Sequence, residues 1–456
     1  MDKLKVIQNE EGQATALPPS KPFEEKTLQE IYADNVPPQL PCKLPKLVKS
    51  VTSETPFKFK PTVAQAMFPP LSIYPRKLEF IYLDNQPREL RSNCLVVGGT
   101  GDGKDTCTRQ PINHILADAK QRDEINRVRL AGFNAEYNRA SANAQKPQRP
   151  EDLVIQTIKS DVTRAALYQR MDEAQGAPLY IRMNELEQMD KLEGSTGRNN
   201  QFTVLKLADD EGNDFGADRA GTQSVTASGC LFLNWNANTT VGKCLRYFQY
   251  VLTDGPISRL SLATVPLPEI GSKMPVFGKY DQRYDDKLRP YIQNLKQATG
   301  TIKCQKALQM AATLKEECDD FAILTQDRVF DNLTHRALVH AFRKGCLLYA
   351  ANGMKWESTI FDFCRWSLHY DLWLKMRLFG DAIRKDDAGF QVSKHGPKSL
   401  LDELPTDADG VFTFEALSQL RVKKGMDANG TAKLLSKWKQ RGHIEQIGDK
   451  IYKKRT

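Results

Sequence analysis

The sequence contains no apolar run that approaches the ~20 residues of a transmembrane helix. Its first ten residues, MDKLKVIQNE, lack the apolar core of a secretory signal peptide. The nine cysteines are scattered without a C-x-x-C pair, which disfavours both a zinc site and a disulfide framework. We therefore expect a cytoplasmic protein with free thiols and no membrane partner.

The composition is that of a soluble globular protein. Of its 456 residues 40% are hydrophobic and 27% are charged, and the formal net charge is +9. This length suggests roughly two to four domains. A net charge of this size is modest, so its meaning depends on where along the chain the charge is concentrated.

A glycine-rich stretch follows a short apolar run, Leu95 to Val97. Within it, Gly98, Gly103 and Lys104 have the spacing G-x-x-x-x-G-K, which is typical of a P-loop that surrounds phosphate groups with backbone N–H groups. A glycine-rich surface turn is the alternative, which the strand before the stretch and the helical pattern behind it disfavour. The predicted phosphate-binding residues are Gly98, Gly99, Thr100, Gly101, Asp102, Gly103, Lys104, Asp105 and Thr106.

One position departs from the P-loop pattern. A Ser or Thr hydroxyl normally binds Mg²⁺ directly after the lysine, but here Asp105 follows Lys104 and the hydroxyl comes one residue later, at Thr106. We therefore consider Asp105 a candidate metal ligand, acting directly or through water. The other interpretation is a degraded loop that binds nucleotide without hydrolysing it.

Strand-like and helix-like segments alternate around this loop. This alternation predicts an α/β fold with a mostly parallel sheet and helices on both of its faces. The predicted strands cover 78–83, 153–158, 179–183, 223–226, 230–234 and 259–265, and the predicted helices cover 62–68, 106–144 and 164–171.

The pattern changes on either side of this α/β core. Residues 1–43 are polar and punctuated by proline, which predicts a weakly ordered arm before a core at 44–268. Apolar residues then recur at spacings of three and four, which predicts an all-α domain at 269–385. A linker is predicted at 386–397.

Residues 398–456 have the plan of a winged helix-turn-helix, namely three predicted helices followed by a hairpin. From residue 421 onward, eleven Lys and Arg stand against three acids, a net charge of +8, so most of the excess charge of the chain lies here. This concentration favours binding to a DNA backbone, whereas a protein-docking module is the alternative. The residues expected to face DNA are Lys433, Lys437, Lys439, Arg441 and Lys450, while Leu434, Leu435, Trp438, Ile444 and Tyr452 are expected in the core.

The order of these signals resembles a family. The P-loop, the apolar strand that ends in Asn184-Glu185 and the later Gly255-Pro-Ile-Ser-Arg259 are similar to the primase/helicase-associated ATPases of bacterial mobile elements, which are distant relatives of the AAA+ and superfamily 3 helicases. The resemblance covers roughly residues 44–385. It implies an AAA+-like P-loop domain that binds ATP and Mg²⁺ between the subunits of a homo-oligomeric ring, for example a hexamer.

The resemblance also implies roles for residues outside the loop. Glu185 matches the catalytic glutamate that polarises the attacking water, with Glu187 as an alternative carboxylate. A hydrolytic site usually has Asp before this glutamate, and Asn184 in its place weakens metal binding by that route. Asn236 fits a residue that orients the water, with Asn234 and Asn238 as competitors, and Arg259 fits an arginine finger, with Arg219 as second choice.

Together these features predict an ATPase, a helicase-like motor that acts on DNA in the replication or mobilisation of a genetic element. A primase or a relaxase is the partner that such a role suggests. Two alternatives stay open: a nucleotide-switched DNA-binding regulator or loader that unwinds nothing, and an assembly protein that does not hydrolyse ATP.

Overall fold

The computed structural model describes most of the chain as two compact units, Met1–Asp381 and Ala382–Thr456. No helix among the described residues is long and apolar enough to cross a membrane. The predicted strand at 223–226, Arg219 and Arg441 lie outside the described residues. Those residues are 6–8, 14–16, 26–140, 146–193, 202–217, 227–268, 270–271, 273–325, 327–386, 401, 404–407, 409–423, 427–440 and 442–455.

The strands of the first unit are short and carry the labels β1 to β12 in chain order. They are β1 Val6–Gln8, β2 Ala14–Ala16, β3 Leu78–Ile81, β4 Pro87–Glu89, β5 Asn93–Val97, β6 Thr157–Ile158, β7 Leu179–Met183, β8 Phe215–Ala217, β9 Ala227–Gly229, β10 Leu233–Thr239, β11 Leu262–Thr264 and β12 Gly300–Ile302.

The helices of the first unit are α1 to α15, with the longest in its last third. They are α1 Leu28–Ala33, α2 Lys46–Val51, α3 Lys60–Ala66, α4 Phe68–Leu71, α5 Lys104–Ile115, α6 Ala117–Arg139, α7 Arg164–Ala174, α8 Met189–Glu193, α9 Thr203–Asp209, α10 Val241–Phe248, α11 Pro256–Arg259, α12 Gln282–Gln297, α13 Gln305–Thr325, α14 Arg328–Ala351 and α15 Thr359–Lys375. Short 3-10 turns cover Phe57–Phe59 and Leu186–Gln188, and a π-helical turn, Met376–Gly380, follows α15.

A five-stranded sheet forms the centre of this unit, in the order β11–β5–β10–β7–β6. All of its strand pairs are parallel, so the carboxyl ends of the strands meet at one edge. Strand β5, which precedes the glycine-rich loop, is buried along its whole length between β10 and β11. The predicted α/β class with a parallel sheet flanked by helices is therefore confirmed.

Helices α12 to α15 lie in the same compact unit as the sheet. The ammonium of Lys344 on α14 is buried and donates to Gln65 Oε1 at 2.6 Å and to Ser367 Oγ on α15 at 2.9 Å. On α15, Asp371 Oδ1 accepts from the backbone N–H of Leu262 in β11 at 2.6 Å. These polar contacts fix the helical segment to the edge strand of the sheet.

Residues 27–38 of the predicted arm lie against this helical segment. Helix α1 begins with a capping box in which Thr27 and Glu30 bond each other's backbone N–H groups. The indole N–H groups of Trp366 and Trp373 donate to the carbonyls of Pro38 and Asp34 at 3.0 and 3.1 Å. Residues 27–38 are therefore packed on the body of the unit.

Several predicted boundaries were wrong for local reasons. The helix predicted at 62–68 ends at Ala66, and a second helix, α4, begins at Phe68 with Pro69 and Pro70 in its first turn, where proline needs no N–H partner. The long helix predicted at 106–144 is divided at Leu116 into α5 and α6. Arg259 was expected at the start of a strand but ends α11, because Gly255 and Pro256 begin a helical turn before β11.

The second unit contains a helix at Phe414–Lys423, a helix at Thr431–Gln440 and a three-stranded antiparallel sheet. The sheet strands are β13 Val411–Thr413, β14 Ile444–Gly448 and β15 Ile451–Lys454, in the order β13–β15–β14. The hairpin of β14 and β15 matches the prediction, whereas β13 was not predicted. The expected core is confirmed, since Leu404, Phe412, Leu417, Leu435 and Ile444 form it together with Leu434, Trp438 and Tyr452.

Candidate functional site

The glycine-rich loop lies at the carboxyl edge of the parallel sheet. It joins β5 to α5, which begins at Lys104. Gly101 and Gly103 have φ angles of 84° and 87°, a conformation that costs glycine little and other residues more. In parallel sheets ligands bind outside the carboxyl ends of the strands, where the strand order reverses, and the loop after β5 lies at such a point.

The backbone N–H groups of this loop are available to a ligand. Within the described part of the chain, the N–H groups of residues 100–105 donate no hydrogen bond. The first N–H groups of a helix have no partner inside the helix and carry a partial positive charge. The loop and the start of α5 therefore form a cradle suited to an anion.

Two side chains of the loop bond to the loop itself. Lys104 Nζ donates to the carbonyl oxygen of Gly98 at 3.1 Å and also to that of Gly99. The N–H of Gly99 donates to Asp102 Oδ2 at 2.5 Å. The lysine therefore already lies over the cradle. The Asp102 carboxylate accepts from the N–H of Gly99, which is then not available to a ligand.

The carboxylate of Asp105 is held by two arginines. Its Oδ1 accepts from Arg182 Nη2 at 2.5 Å, and its Oδ2 accepts from Arg109 Nε at 2.7 Å. Arg182 lies on β7, two strands away from β5, whereas Arg109 is one helical turn beyond Asp105 on α5.

This arrangement does not fit the expected metal site at Asp105. Both of its oxygens are engaged by guanidinium groups, and Asn184 in place of an Asp brings no second carboxylate. Among the described residues, no three His, Cys, Asp or Glu side chains converge in a way that could hold a metal ion. The metal-ligand role of Asp105 therefore stays a prediction, which these two contacts disfavour.

The predicted catalytic glutamate follows β7 directly, at the same edge of the sheet as the loop. The side chain of Glu185 is 57% exposed and accepts from Lys243 Nζ at 3.2 Å. Glu187 lies equally close, at 3.2 Å from the same ammonium. The hydrogen bonds that its ammonium donates to Glu185 and Glu187 raise the pKa of Lys243. Lys243 on α10 thus connects both candidate carboxylates to the end of β10.

Of the three asparagines on β10, Asn234 and Asn236 have side-chain amides that are hydrogen-bonded within the fold. Asn236 Oδ1 accepts from the hydroxyl of Tyr180 at 2.9 Å, and its Nδ2 donates to the carbonyl of Ala66 at 3.1 Å. Asn234 is likewise engaged, since its Oδ1 accepts from the N–H of Ser92 at 2.8 Å. Both amides therefore hold the sheet together, and neither is free to orient a water molecule.

Asn238 is better placed than Asn236. It is paired with Val96 of β5. The next residue of β10 is Thr239, whose carbonyl oxygen accepts from the N–H of Gly98 at 3.2 Å. Side chains alternate along a strand, so Asn238 projects from the same face as Asn236, the partner of Arg182. Although the residue is only 7% exposed, its side chain bonds to no other described residue.

Arg259 lies at the opposite edge of the sheet from the loop. Its carbonyl accepts from the side chain of Asn93, the first residue of β5, at 2.8 Å. Its guanidinium donates to Asp210 Oδ2 at 3.2 Å. Strand β5 separates Arg259 from the loop of its own chain, so any contact of this arginine with a nucleotide would be with that of a neighbouring subunit.

A buried ionic cluster near Arg259 was not predicted. The carboxylate of Asp209, at the end of α9, contacts Arg343 Nη1 at 2.6 Å and His340 Nε2 at 3.0 Å on α14. Burial alone would raise the pKa of Asp209, but the charges of Arg343 and Arg336 and the hydrogen bond with His340 outweigh it and hold this pKa well below its usual range. A local sequence pattern could not reveal the cluster, because Asp209 and its partners on α14 are more than 120 residues apart along the chain.

The predicted DNA-facing lysines of the second unit are exposed. Lys433, Lys437 and Lys439 lie on the helix Thr431–Gln440, and Lys450 lies in the turn of the hairpin. The ammonium groups of Lys433 and Lys437 contact no described residue, whereas Lys439 donates to Gln446 Oε1 at 3.2 Å. Lys433 and Lys437 are therefore the least constrained cations among the predicted DNA-facing residues that the structure describes.

No protein-family model and no curated protein matches this chain.

Proposed function

We propose that this protein binds a nucleoside triphosphate, ATP in the first place, at the loop 98–106 and uses it to act on DNA. The observation that supports the proposal most strongly is the cradle of undonated N–H groups under Lys104, at the switch point of a parallel sheet. In this proposal Lys104 leaves the loop carbonyls for the β- and γ-phosphates. Asp102 then releases the N–H of Gly99.

For hydrolysis, the proposal assigns the water-polarising carboxylate to Glu185. This glutamate ends β7 at the edge that carries the loop, and solvent reaches it. Asn238, rather than Asn236, is the amide available to orient the water. Arg259 would stabilise the phosphate charge of a neighbouring subunit, which makes the AAA+-like homo-oligomer of the family resemblance part of the proposal.

Replacing Lys104 by Ala should weaken ATP binding at least tenfold, since a charge-assisted hydrogen bond contributes about 1.5–3 kcal/mol. The measurement is isothermal titration with ATP. Lys315→Ala on α13 is the matched control, because Lys315 is a half-exposed lysine whose partner is Asp319. Equal affinity of the wild type and Lys104→Ala for ATP, or no binding by either, would contradict the proposed nucleotide site.

We further propose that the second unit is a winged helix-turn-helix that recruits the protein to DNA. The support is the +8 charge from residue 421 onward together with the exposed lysines of the helix Thr431–Gln440. The helix before the wing is the element that enters a groove in such domains. In this picture the P-loop unit drives unwinding as a helicase-like motor during replication or mobilisation of a genetic element.

The double variant Lys433→Ala/Lys437→Ala should bind duplex DNA more weakly and with less dependence on salt. Each lost phosphate contact reduces the slope of log K against log salt by about 0.9, so the slope should fall by about 1.8. Fluorescence anisotropy with labelled duplex at several salt concentrations measures both quantities. The control is Lys306→Ala/Lys315→Ala, which removes two exposed lysines from the first unit. An unchanged affinity and slope would favour a protein-docking module.

A nucleotide switch that unwinds nothing is the second candidate. The observation in its favour is that the site lacks the usual metal-supporting groups, because Asp105 is held by Arg109 and Arg182 and an asparagine precedes Glu185. Such a protein would change its DNA affinity with bound ATP while turning it over slowly. A fork-unwinding assay separates the two candidates, since only the motor separates strands in proportion to ATP consumed.

A further inference from the structure

We infer that Arg182, positioned by Asp105, supplies the positive charge that a divalent cation supplies at other phosphate-binding loops, so that this site binds ATP without a metal ion. The inference rests on the proposed nucleotide site and names the group that completes it. Asp105 occupies the position from which a hydroxyl would hold Mg²⁺. Its Oδ1 instead accepts from Arg182 Nη2 at 2.5 Å.

Arg182 has hydrogen-bonding capacity to spare. A guanidinium group carries five N–H donors, yet Arg182 forms a hydrogen bond only to Asp105 within the described part of the chain. Its side chain is 17% exposed and none of its nitrogens is both buried and unpaired, so the remaining donors are open to a ligand. A phosphate oxygen matches the planar arrangement of guanidinium donors.

The geometry of the sheet places Arg182 on the correct side. Its strand partner is Asn236, which is also the partner of Cys94 in β5. The side chains of these three residues therefore project from one face, the face on which α5 begins, since Asp105 in its first turn contacts Arg182. Asn238, which is 7% exposed, projects from the same face two residues closer to the loop.

Arg109 has a different part in this arrangement. It lies on α5 itself, its side chain is 59% exposed, and its Nε and one terminal nitrogen both donate to Asp105 Oδ2. Arg109 therefore stabilises the orientation of the carboxylate that holds Arg182. With Lys104, the loop region carries three cations against the carboxylates of Asp102 and Asp105, which leaves it attractive to a triphosphate.

The test is ATP binding by isothermal titration, once in EDTA and once in Mg²⁺. We expect the wild type to bind ATP in EDTA within about threefold of its affinity in Mg²⁺, because Arg182 is part of the protein. Arg182→Ala should bind about tenfold to a hundredfold more weakly in EDTA. Lys315→Ala, the surface control on α13, should bind ATP as the wild type does in both buffers.

Two further variants separate a lost ligand from a lost fold. Arg182→Lys should recover part of the affinity in EDTA, whereas Arg182→Gln should not, although the two introduced side chains are similar in size. A wild type that binds ATP only with Mg²⁺, together with unchanged affinity in Arg182→Gln, overturns the inference and leaves the nucleotide site intact. Absence of ATP binding in both buffers overturns the nucleotide site itself.

Discussion

ATP turnover should fall by about a hundredfold or more when Glu185 is replaced by Gln, while ATP binding changes little. A positioned general base accelerates such a step by about 10²–10⁴-fold, and the amide of Gln cannot accept the proton of the attacking water. Glu185 follows β7 at the edge that carries the loop, and its carboxylate is solvent-accessible. The assay is phosphate release at saturating ATP and DNA, with a reaction without protein as the baseline.

Glu187→Gln is the matched control for this prediction. Glu187 contacts the same ammonium of Lys243 at the same 3.2 Å, so both substitutions remove one ion pair. Only the loss of the acting carboxylate should reduce turnover. A large effect of Glu187→Gln with none of Glu185→Gln would exchange the two roles, and negligible turnover in the wild type would favour the nucleotide switch.

Replacing Asp209 by Asn should reduce the free energy of unfolding by about 3–5 kcal/mol at neutral pH. Removal of one partner from a buried ion pair leaves the other charge uncompensated, which costs about this amount. Arg343 would retain its charge beside a neutral amide, and the ring of His340 would lose its carboxylate acceptor. Urea denaturation measures the loss.

Asp319→Asn is the control for this second prediction. Asp319 pairs with Lys315 on the surface of α13, and both side chains are about half exposed, so its loss should cost less than about 1 kcal/mol. Similar losses for Asp209→Asn and Asp319→Asn would contradict the central role of the buried cluster.

The same cluster implies a pH dependence with a definite sign. Neighbouring charges hold the pKa of Asp209 below its value in the unfolded chain, about 3.9. Its contribution to stability is therefore fully present above about pH 4 and is lost as the pH falls through the lower pKa of the folded state. The stability difference between the wild type and Asp209→Asn should narrow on acidification below pH 4.

Local signals were sufficient for the loop and for the elements next to it. The apolar run of β5, the glycines of the turn and the helical pattern after Lys104 are all determined by neighbours in sequence, and each lies where it was predicted. The alternation of strands and helices likewise predicted the parallel sheet. The hairpin after the helix Thr431–Gln440 belongs to the same class of local features.

Partners across strands could not be read from the chain. The sequence gives no reason to prefer one of the asparagines 234, 236 and 238 over the others. Only the pairing register of β10 with β5 and β7 shows that the amides of Asn234 and Asn236 are hydrogen-bonded and that Asn238 lies near the loop. Asp105 was a plausible metal ligand by position alone. Its partner Arg182 is 77 residues away, and the two meet because β7 and α5 lie on one face of the sheet.

The chain thus carried within its own sequence the place of the glycine-rich loop and the α/β class, because glycine conformations, apolar runs and helix starts depend on adjacent residues. The folded structure alone decided which charges surround that loop and which acid lies buried against α14. Charge–charge contacts fall off within a few ångströms and join residues that are remote along the chain. Their outcome therefore depends on packing and strand register, which no local pattern records.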